Sequence, residues 1–443
     1  MIINYLAIFS AMRTIITILA FIVLVKYFIY LIFAPFYPAH RQWNLLKLKL
    51  GIKKGEITGE YEPIVSVIIP AWNEEVGILT TVNSVLANSY EKVEIIVVND
   101  GSTDGTDLKM REFLVERKSS KNDKKIIRYF CKENGGKGSA LNFGIKKAKG
   151  EIILTMDADS AHHKKAIENL VTYFHDPSIH AVVGNVKVRN IRNIVGLIQQ
   201  FEYIFGFYFK RVHSILDAEY IFGGACAAFR KKTTFDTIGV FDTFNKTEDI
   251  EYSMRVKLNG LKSVYAEDVI TYTEGASDLV GLYKQRLRWK KGRLDTFIKY
   301  RQLFFSRNNS HSKFMSWVVL PYALIGEIQM LSEPLFFAAI WAYTLISGDY
   351  LSVGLSSLFI FITYLAAFGL GDKETNKMNL ILFPFTWFMF YILSVIEFLA
   401  LLRSVEMMYL NQDVTWQNWT RKGVYNDRED KKIELLSKKE YLI

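Results

Sequence analysis

Two aspartates one residue apart, Asp157 and Asp159, follow a short apolar run and could bind a metal ion. In an extended or turning backbone, alternate side chains point the same way. Both carboxylates could therefore converge on one hard divalent cation, Mg²⁺ or Mn²⁺. Phosphate oxygens and water would complete the coordination shell of that cation. The D-x-D pattern alone is common by chance, and its alternative interpretation is a solvated acidic turn.

A glycine-rich segment, Gly135-Gly136-Lys137-Gly138, precedes a predicted helix and could bind a diphosphate. It lacks the spacing of a P-loop. Its backbone N–H groups and the Lys137 amine nevertheless lie near a helix start, where a phosphate is stabilised. Asp100 lies at the end of another apolar run and is followed by a glycine, and an Asp-Gly pair taken alone is common in turns. Taken together in this order, the motifs predict a site for a nucleotide sugar. Asp100 would belong to the nucleoside pocket, Lys137 would bind the diphosphate, and Asp157 and Asp159 would bind the metal.

Two more carboxylates, Glu248 and Asp249, stand at the start of the stretch TEDIEYSMRVKLNG. Its spacing predicts a helix that ends at Asn259-Gly260. Acids at a helix start usually cap free N–H groups and complement the helix dipole. The alternative is that one of them is a general base, and the local pattern does not decide between the two roles.

The segment QRLRW places Gln285, Arg288 and Trp289 on one face of a predicted helix, because they are spaced i, i+3, i+4. An indole beside an arginine and an amide predicts a surface on which a sugar ring stacks. The alternative is an anchor at a membrane interface, with the indole among the headgroups. The basic neighbours that favour an interfacial helix are Lys284, Lys290, Lys291 and Arg293. Both interpretations can hold on different faces of the helix.

These residues must be positioned by alternating strands and helices. The predicted buried strands are the β-branched runs Ile64–Pro70, Val93–Val98, Lys125–Phe130 and Glu151–Met156. Their alternation with helices such as Gly138–Ala148 predicts an α/β, doubly wound, mostly parallel sheet with both faces covered. Ligands bind at the carboxyl ends of such strands. The polar groups at Asn73-Glu74, Asp100 and Asp157 follow three different strands and should therefore meet at one edge.

The composition predicts a soluble domain joined to membrane segments. Half of the 443 residues are hydrophobic and 14% are aromatic, yet 23% are charged. The net charge of +10 could reflect nucleic-acid binding, but the long apolar runs favour loops at a cytoplasmic membrane surface instead. The two cysteines, Cys131 and Cys226, indicate neither a disulfide framework nor a zinc site.

Apolar runs long enough to cross a bilayer lie at both ends of the chain. The predicted spans are Thr14–Ala34, Leu351–Leu370 and Leu380–Leu402. The run Phe314–Ser347 is interrupted, and we expect two short crossings that meet at Glu333-Pro334 rather than one interfacial helix. Four crossings would then follow Lys313, with the N-terminus outside. Acids inside these runs, such as Glu397, form either interhelical hydrogen bonds or a functional site.

As an ordered set, these motifs resemble those of the processive, membrane-integrated family-2 glycosyltransferases, which include cellulose, hyaluronan and chitin synthases. The resemblance covers about residues 64–292 and is strongest to the bacterial poly-β-1,6-N-acetylglucosamine synthase type. The motifs are Asp100-Gly101-Ser102, Lys137, Asp157-x-Asp159, Thr247-Glu248-Asp249 and Gln285-x-x-Arg288-Trp289. One departure is Asn99, where many relatives have a second aspartate, which leaves the uracil contact mainly to Asp100.

The resemblance implies a GT-A domain and a role for each site residue. The implied catalytic set is Asp249 as general base with Asp159, Gln285, Arg288 and Trp289. The UDP-sugar would be bound by Asn73, Glu74, Asp100, Lys137, Asp157 and Arg288, and the metal by Asp157 and Asp159. The acceptor would contact Gly223 and Gly224 of the FGGACAAFR loop, Glu248 and Trp289. Trp416 and Arg421 are similar to a tail segment that gates such synthases.

The expected protein is an inverting enzyme of the plasma membrane that extends a β-linked polysaccharide from a UDP-sugar and translocates it. Its partners would be the donor, the growing chain, the bilayer and accessory export proteins, but no nucleic acid. One alternative is a non-processive enzyme that makes a glycolipid. Another is a transporter or scaffold with an inactive domain, which the intact carboxylate set disfavours. The expected segments are a span (1–40), a catalytic domain (41–278), interface helices (279–313), spans (314–404) and a cytoplasmic tail (405–443).

Overall fold

The computed structural model describes residues 27–50, 61–118, 125–189, 193–371, 386–414 and 421–424, with scattered positions between residues 10 and 25. Seven positions of the predicted span Thr14–Ala34, the first residues of Leu380–Leu402, Trp416 and most of the tail lie outside the described residues.

The middle part of the chain is built on one mixed sheet of eight strands. These are β1 (Val65–Ala71), β2 (Val93–Asp100), β3 (Ile126–Lys132), β4 (Ile152–Thr155), β5 (Ser160–His162), β6 (Ile179–Val188), β7 (Ala227–Arg230) and β8 (Lys262–Thr273). Their order is β3-β2-β1-β4-β7-β6-β8-β5. The four strands predicted from the sequence, β1 to β4, are mutually parallel as expected. The sheet is less regular beyond them, because β7 is antiparallel to both β4 and β6.

Helices cover both faces of this sheet and continue beyond it. They are α1 (Tyr37–Lys49), α2 (Ile78–Leu86), α3 (Thr106–Lys118), α4 (Lys137–Lys147), α5 (Ala166–Tyr173), α6 (Ile194–Ile215), α7 (Phe235–Ile238), α8 (Glu248–Leu258), α9 (Leu279–Lys299), α10 (Leu320–Ser347), α11 (Tyr350–Gly371) and α12 (Thr386–Tyr409). A π-helical stretch, Met315–Val319, leads directly into α10.

Two apolar cores hold the sheet between its helices. Successive side chains of a strand point to opposite faces. Accordingly, Val67 and Ile69 of β1 pack in one core with α2 and α5, while Ile68 packs in the other with α4 and α8. The apolar, β-branched composition of these strands is what a sheet buried on both faces requires.

The polar ends of three neighbouring strands define one edge of the sheet. Strand β1 pairs with β2 on one side and β4 on the other, all parallel. Glu74, Asp100 and Asp157 follow or end these strands and line one cavity, as the sequence predicts. The predicted α8 is also confirmed, since Asn259 caps its C-terminus and Gly260 follows with a positive φ of 67°.

Within the described residues, one helical stretch, Met315–Ser347, is long and apolar enough to cross a membrane. It is continuous through Pro334, so the predicted break into two short crossings at Glu333-Pro334 is wrong. Proline is tolerated inside such helices when neighbouring helices and local adjustments satisfy the freed backbone groups. Helix α12 packs against both α10 and α9, which ties the apolar helices to the part of the chain that carries the sheet.

Candidate active site

One cavity of about 570 Å³ at the strand-end edge collects the predicted site residues. The predicted site residues among those that line it are Glu74, Asp100, Lys137, Asp157, Asp159, Gly223, Gly224, Glu248, Asp249, Gln285, Arg288 and Trp289. They come from four strand ends or loops and from the starts or faces of α4, α8 and α9. The sheet and helix α9 therefore build a single site.

Asn73 is the one predicted donor-binding residue that does not line this cavity. Its backbone is left-handed, with φ at 56°. Its side-chain oxygen accepts a hydrogen bond of 2.8 Å from the Thr103 N–H. Asn73 therefore holds the loop after β2, and its contact with the donor stays a prediction.

Asp100 lines the cavity, but its carboxylate already has partners. It accepts hydrogen bonds from the N–H groups of Gly135 (3.1 Å) and Gly136 (2.7 Å), and the Lys132 amine lies 2.5 Å away. These contacts fix the glycine-rich turn that starts α4. The predicted uracil contact of Asp100 is thus accompanied by a role in placing Lys137.

Lys137 is the first residue of α4 and bridges two of the acidic motifs. Its amine lies 2.6 Å from Asp157 and 3.2 Å from Glu248. Burial opposes the charged amine, but Asp157, Glu248 and Asp249 raise the pKa of Lys137 above its usual range. A Cβ on Gly224 would lie 2.5 Å from the Lys137 Nζ, so the absent side chain makes room for this cation.

Glu248 and Asp249 have different environments although they are adjacent. Glu248 pairs with Lys137, and burial raises the pKa of its carboxyl group against that attraction. The Asp249 carboxylate accepts hydrogen bonds from the N–H groups of Gly224 (3.0 Å) and Ile250 (2.8 Å). The bond to Ile250 satisfies an N–H in the first turn of α8, while the bond to Gly224 orients the carboxylate within the cavity.

Helix α9 presents the predicted face to the cavity, since Gln285, Arg288 and Trp289 all line it. The side-chain oxygen of Gln285 is buried and has no hydrogen-bond partner within the described residues. A buried acceptor of this kind usually has a partner when the site is complete. Trp289 lies at the cavity wall, and the choice between sugar stacking and anchoring in the headgroups stays a prediction.

Two of the basic residues beyond Trp289 form ion pairs with acids of the apolar helices, while the predicted position of α9 at a membrane interface stays a prediction. Lys290 is buried and lies 2.9 Å from Glu327 and 3.0 Å from Glu397. Arg293 lies 2.8 Å from Glu327. Glu327 and Glu397, two acids of the apolar helices, are therefore ion-paired with α9.

Gly292 allows α9 to cross the loop that precedes α8 at very short distance. A Cβ on Gly292 would lie 2.1 Å from the Thr247 Oγ1 and 2.7 Å from its Cβ. Thr247 is β-branched and stiff at χ1, so it cannot move aside easily. The close approach brings the QRLRW helix beside Glu248 and Asp249.

We expect Gly292→Ala to reduce transfer activity and to destabilise the protein by roughly 1–3 kcal/mol, the cost of overpacking a tight contact. The measurement is the unfolding midpoint beside the initial rate. Gly326→Ala is the matched control, because a Cβ there meets nothing within 4 Å. Equal behaviour of the two variants would contradict the role of this contact.

A short tail segment reaches the cavity and places a cation on two of its acids. Arg421 lies 2.5 Å from Asp159 and 2.6 Å from Glu74. The next two residues donate backbone N–H groups to Glu274, at 2.6 Å from Lys422 and 3.2 Å from Gly423.

The charge balance explains this contact. Three carboxylates, Glu74, Asp159 and Glu274, face one guanidinium. Burial raises the pKa of Glu74 to about 8 despite Arg421, and Asp159 and Glu274 add to that rise. Burial likewise opposes the charge on Arg421, but Asp159, Glu74 and Glu274 raise its pKa above the usual range.

The residues present fit a divalent cation only together with a nucleotide. Asp157 and Asp159 both line the cavity, and their oxygens suit a hard cation. No group of three or more ligating side chains occurs within the described residues. Asp157 is paired with Lys137 and Asp159 with Arg421. A bound cation would therefore need phosphate oxygens and water as further ligands.

Helix α6 contributes a wall of the cavity that the sequence analysis missed. Its lining residues are Glu202, Tyr203, Gly206, Phe207 and Lys210. Glu202, Gly206 and Lys210 are four residues apart, so they lie on one face. This polar periodicity within an apolar run was a usable signal.

The comparisons with known proteins agree with this site. The family described as Glycosyl transferase family 2 matches residues 66–235, and Glycosyl transferase family group 2 matches residues 152–402. The mannosyltransferase PcManGT from Pyrobaculum calidifontis, solved in complex with GDP-Man and Mn2+, has a TM-score of 0.54 at 20% identity. The likeness covers 86% of this chain and 98% of that one, and it supports the predicted GT-A fold.

Curated relatives confirm the predicted resemblance to the poly-β-1,6-N-acetylglucosamine synthase type. Poly-beta-1,6-N-acetyl-D-glucosamine synthase of Staphylococcus aureus (strain COL) is 35% identical over 243 residues, 54% of this chain and 57% of that protein. The Staphylococcus epidermidis protein of the same name is 34% identical over 231 residues, 52% of this chain and 54% of that protein. The chain thus spans just over half the length of these relatives. Since the family match at 152–402 covers more than half of the chain, the protein belongs to Glycosyl transferase family group 2.

Proposed function

We propose that the protein is an inverting, processive glycosyltransferase that extends a β-linked polysaccharide from a UDP-sugar, with N-acetylglucosamine as the first candidate sugar. The supporting observation is the single cavity that unites Asp157-x-Asp159, Lys137, Asp249 and the QRLRW helix face. The relatives' name suggests the sugar. We further propose that the apolar helices cross the plasma membrane several times, keep the catalytic domain cytoplasmic and provide a path for the product, with accessory export proteins as partners.

The proposed reaction needs one base and one stabilised leaving group. The acceptor hydroxyl oxygen attacks the anomeric carbon, the bond from that carbon to the diphosphate breaks, and UDP leaves. Asp249 takes the hydroxyl proton, and its hydrogen bond from Gly224 keeps one carboxylate oxygen oriented. An inverting transfer needs no second carboxylate as nucleophile.

Lys137 supplies positive charge where the diphosphate is released. Its ion pairs with Asp157 and Glu248 hold the amine at the cavity wall. A divalent cation held by Asp157 and Asp159 would neutralise the diphosphate. Arg421, which already pairs with two cavity acids, is a further cation that the tail brings to the donor side.

The acceptor sugar is proposed to stack on Trp289, between Gly223-Gly224 and helix α6. We expect Trp289→Ala to lower the rate of polymer formation roughly tenfold, which corresponds to about 1.4 kcal/mol and is a normal size for an aromatic contact. The protein should insert into membranes and purify normally.

Trp317→Ala is the matched control, because Trp317 is exposed and lies outside the cavity. The measurements are membrane association and rate per molecule. Loss of membrane association by the Trp289 variant, with its rate per molecule intact, would favour the anchoring role instead.

The main alternative is a non-processive enzyme that transfers one sugar to a lipid, because Gln-x-x-Arg-Trp also occurs in such enzymes. A panel of UDP-sugars with purified protein separates the two functions. Product length is measured by gel and mass spectrometry. A ladder of long products supports the proposal, one sugar on a lipid supports the alternative, and no transfer from any UDP-sugar contradicts both.

A further inference from the structure

Arg286 lies against the indole that lines the acceptor side of the cavity. Its guanidinium carbon is 4.4 Å from the centre of the Trp289 ring. Arg286 is itself buried and does not line the cavity. One contact of the Trp289 ring is thus with a cation of its own helix rather than with solvent or ligand.

Two acids from different helices hold this cation. The Arg286 Nη2 lies 2.5 Å from a Glu202 oxygen on α6, and its Nη1 lies 3.7 Å from a Glu397 oxygen on α12. The second Glu397 oxygen lies 3.0 Å from Lys290, one turn along α9. Arg286 is therefore fixed from the catalytic side by α6 and from the apolar helices by α12.

We propose that Glu202 and Glu397 are positioning residues that hold Arg286 against Trp289 and so fix the indole on which the acceptor stacks. The acceptor role of Trp289 rests on the proposed function. The chain of contacts from the two acids through Arg286 to the indole, called the relay below, does not. Through Glu397, a helix outside the catalytic sheet sets the geometry of the acceptor site.

The charges and shapes explain why the relay is specific. Three carboxylates, Glu202, Glu327 and Glu397, face three cations of α9, so the positive and negative charges of this cluster are equal in number. A guanidinium is planar and can stack on an aromatic ring while its N–H groups bind carboxylates, which a lysine amine cannot do in the same way. Removing one acid leaves a buried cation under-compensated, and it will shift toward the remaining acid.

The position of the indole can be tested without any activity. The full-length protein is labelled with 5-fluorotryptophan, and Trp289→Phe assigns the Trp289 fluorine resonance. We expect Glu202→Gln, Glu397→Gln and Arg286→Lys each to shift that resonance. Glu406→Gln should not, because Glu406 is an exposed acid of α12 that pairs with Arg403 of the same helix. An unmoved resonance in both Glu202→Gln and Glu397→Gln, or an equal shift in Glu406→Gln, overturns the relay.

The consequence for the acceptor is measured as the ratio of UDP released to sugar incorporated, with UDP-N-acetylglucosamine as donor. A misplaced acceptor surface lets water compete, so the ratio should rise about fivefold in Glu202→Gln and Glu397→Gln, the loss expected for a weakened cation–π contact. A general loss of folded protein lowers both quantities and leaves the ratio unchanged.

The double variants show whether the acids act through Arg286. In an Arg286→Lys background, neither glutamine substitution should raise the ratio further. A full additional rise, or an unchanged ratio in the single variants, overturns the acceptor part of the proposal. If wild-type protein forms no polymer, the proposed function fails, and the fluorine resonance alone decides the relay.

Discussion

The Asp249→Asn variant is expected to fold, to bind UDP with near-normal affinity and to elongate roughly a hundred- to ten-thousand-fold more slowly than wild type. The amide keeps the shape of the side chain and one acceptor oxygen for the Gly224 N–H. It cannot take the proton of the acceptor hydroxyl. A lost helix cap, by contrast, costs only about 1 kcal/mol of stability.

The comparison is calorimetry of UDP binding beside the rate of polymer formation, for Asp249→Asn and Glu248→Gln. Glu248→Gln should retain more activity, because Glu248 pairs with Lys137 and is not assigned the proton. The Glu248→Gln substitution should weaken donor binding more than it lowers the rate of elongation. Polymer formation near the wild-type rate by Asp249→Asn would mean that the proton goes elsewhere and that Asp249 only stabilises the start of α8.

Removal of the metal is the second large effect. Excess EDTA is expected to abolish transfer, and Asp159→Asn should lower the rate by about a thousandfold, the size of a lost metal contribution of several kcal/mol. The reason is that Asp157 and Asp159 are the acidic pair in the cavity that can bridge a cation to a diphosphate. Added Mg²⁺ or Mn²⁺ should restore the chelated wild-type enzyme.

A matched control is Asp107→Asn, since Asp107 pairs with Arg111 at the surface and does not line the cavity. It should respond to EDTA and to added metal as the wild type does. UDP affinity is measured with and without metal for each protein. Full transfer activity in excess EDTA would refute the metal site.

The sequence was most informative where local patterns decide the outcome. The β-branched runs predicted strands β1 to β4, and their parallel order placed the groups after β1, β2 and β4 at one edge. The i, i+3, i+4 spacing placed Gln285, Arg288 and Trp289 on the cavity side of α9. These features follow from backbone periodicity and from the geometry of parallel sheets, which a sequence shows directly.

The remaining contacts join residues far apart in the chain and could not be derived from spacing. Arg421 meets Asp159 across 262 positions. The cations of α9 were expected near headgroups, yet Lys290 meets Glu327 and Glu397 because the packing of α10 and α12 brings acids to it. Basic side chains have the same pattern in both cases, so the choice between lipid and ion pair depends on tertiary packing.

The continuous helix through Pro334 also has a geometric consequence. Met315–Ser347 contains 33 residues and is therefore about 50 Å long, whereas the hydrocarbon layer of a bilayer is about 30 Å thick. A helix with such a hydrophobic mismatch tilts or extends beyond the layer. Its first turns are fixed, since Met315 and Leu320 are buried against Tyr300 and Leu303. If this helix crosses the membrane as proposed, a change in bilayer thickness would change its tilt. Because its first turns pack on the catalytic domain, the orientation of that domain would then depend on the chain length of the surrounding lipids.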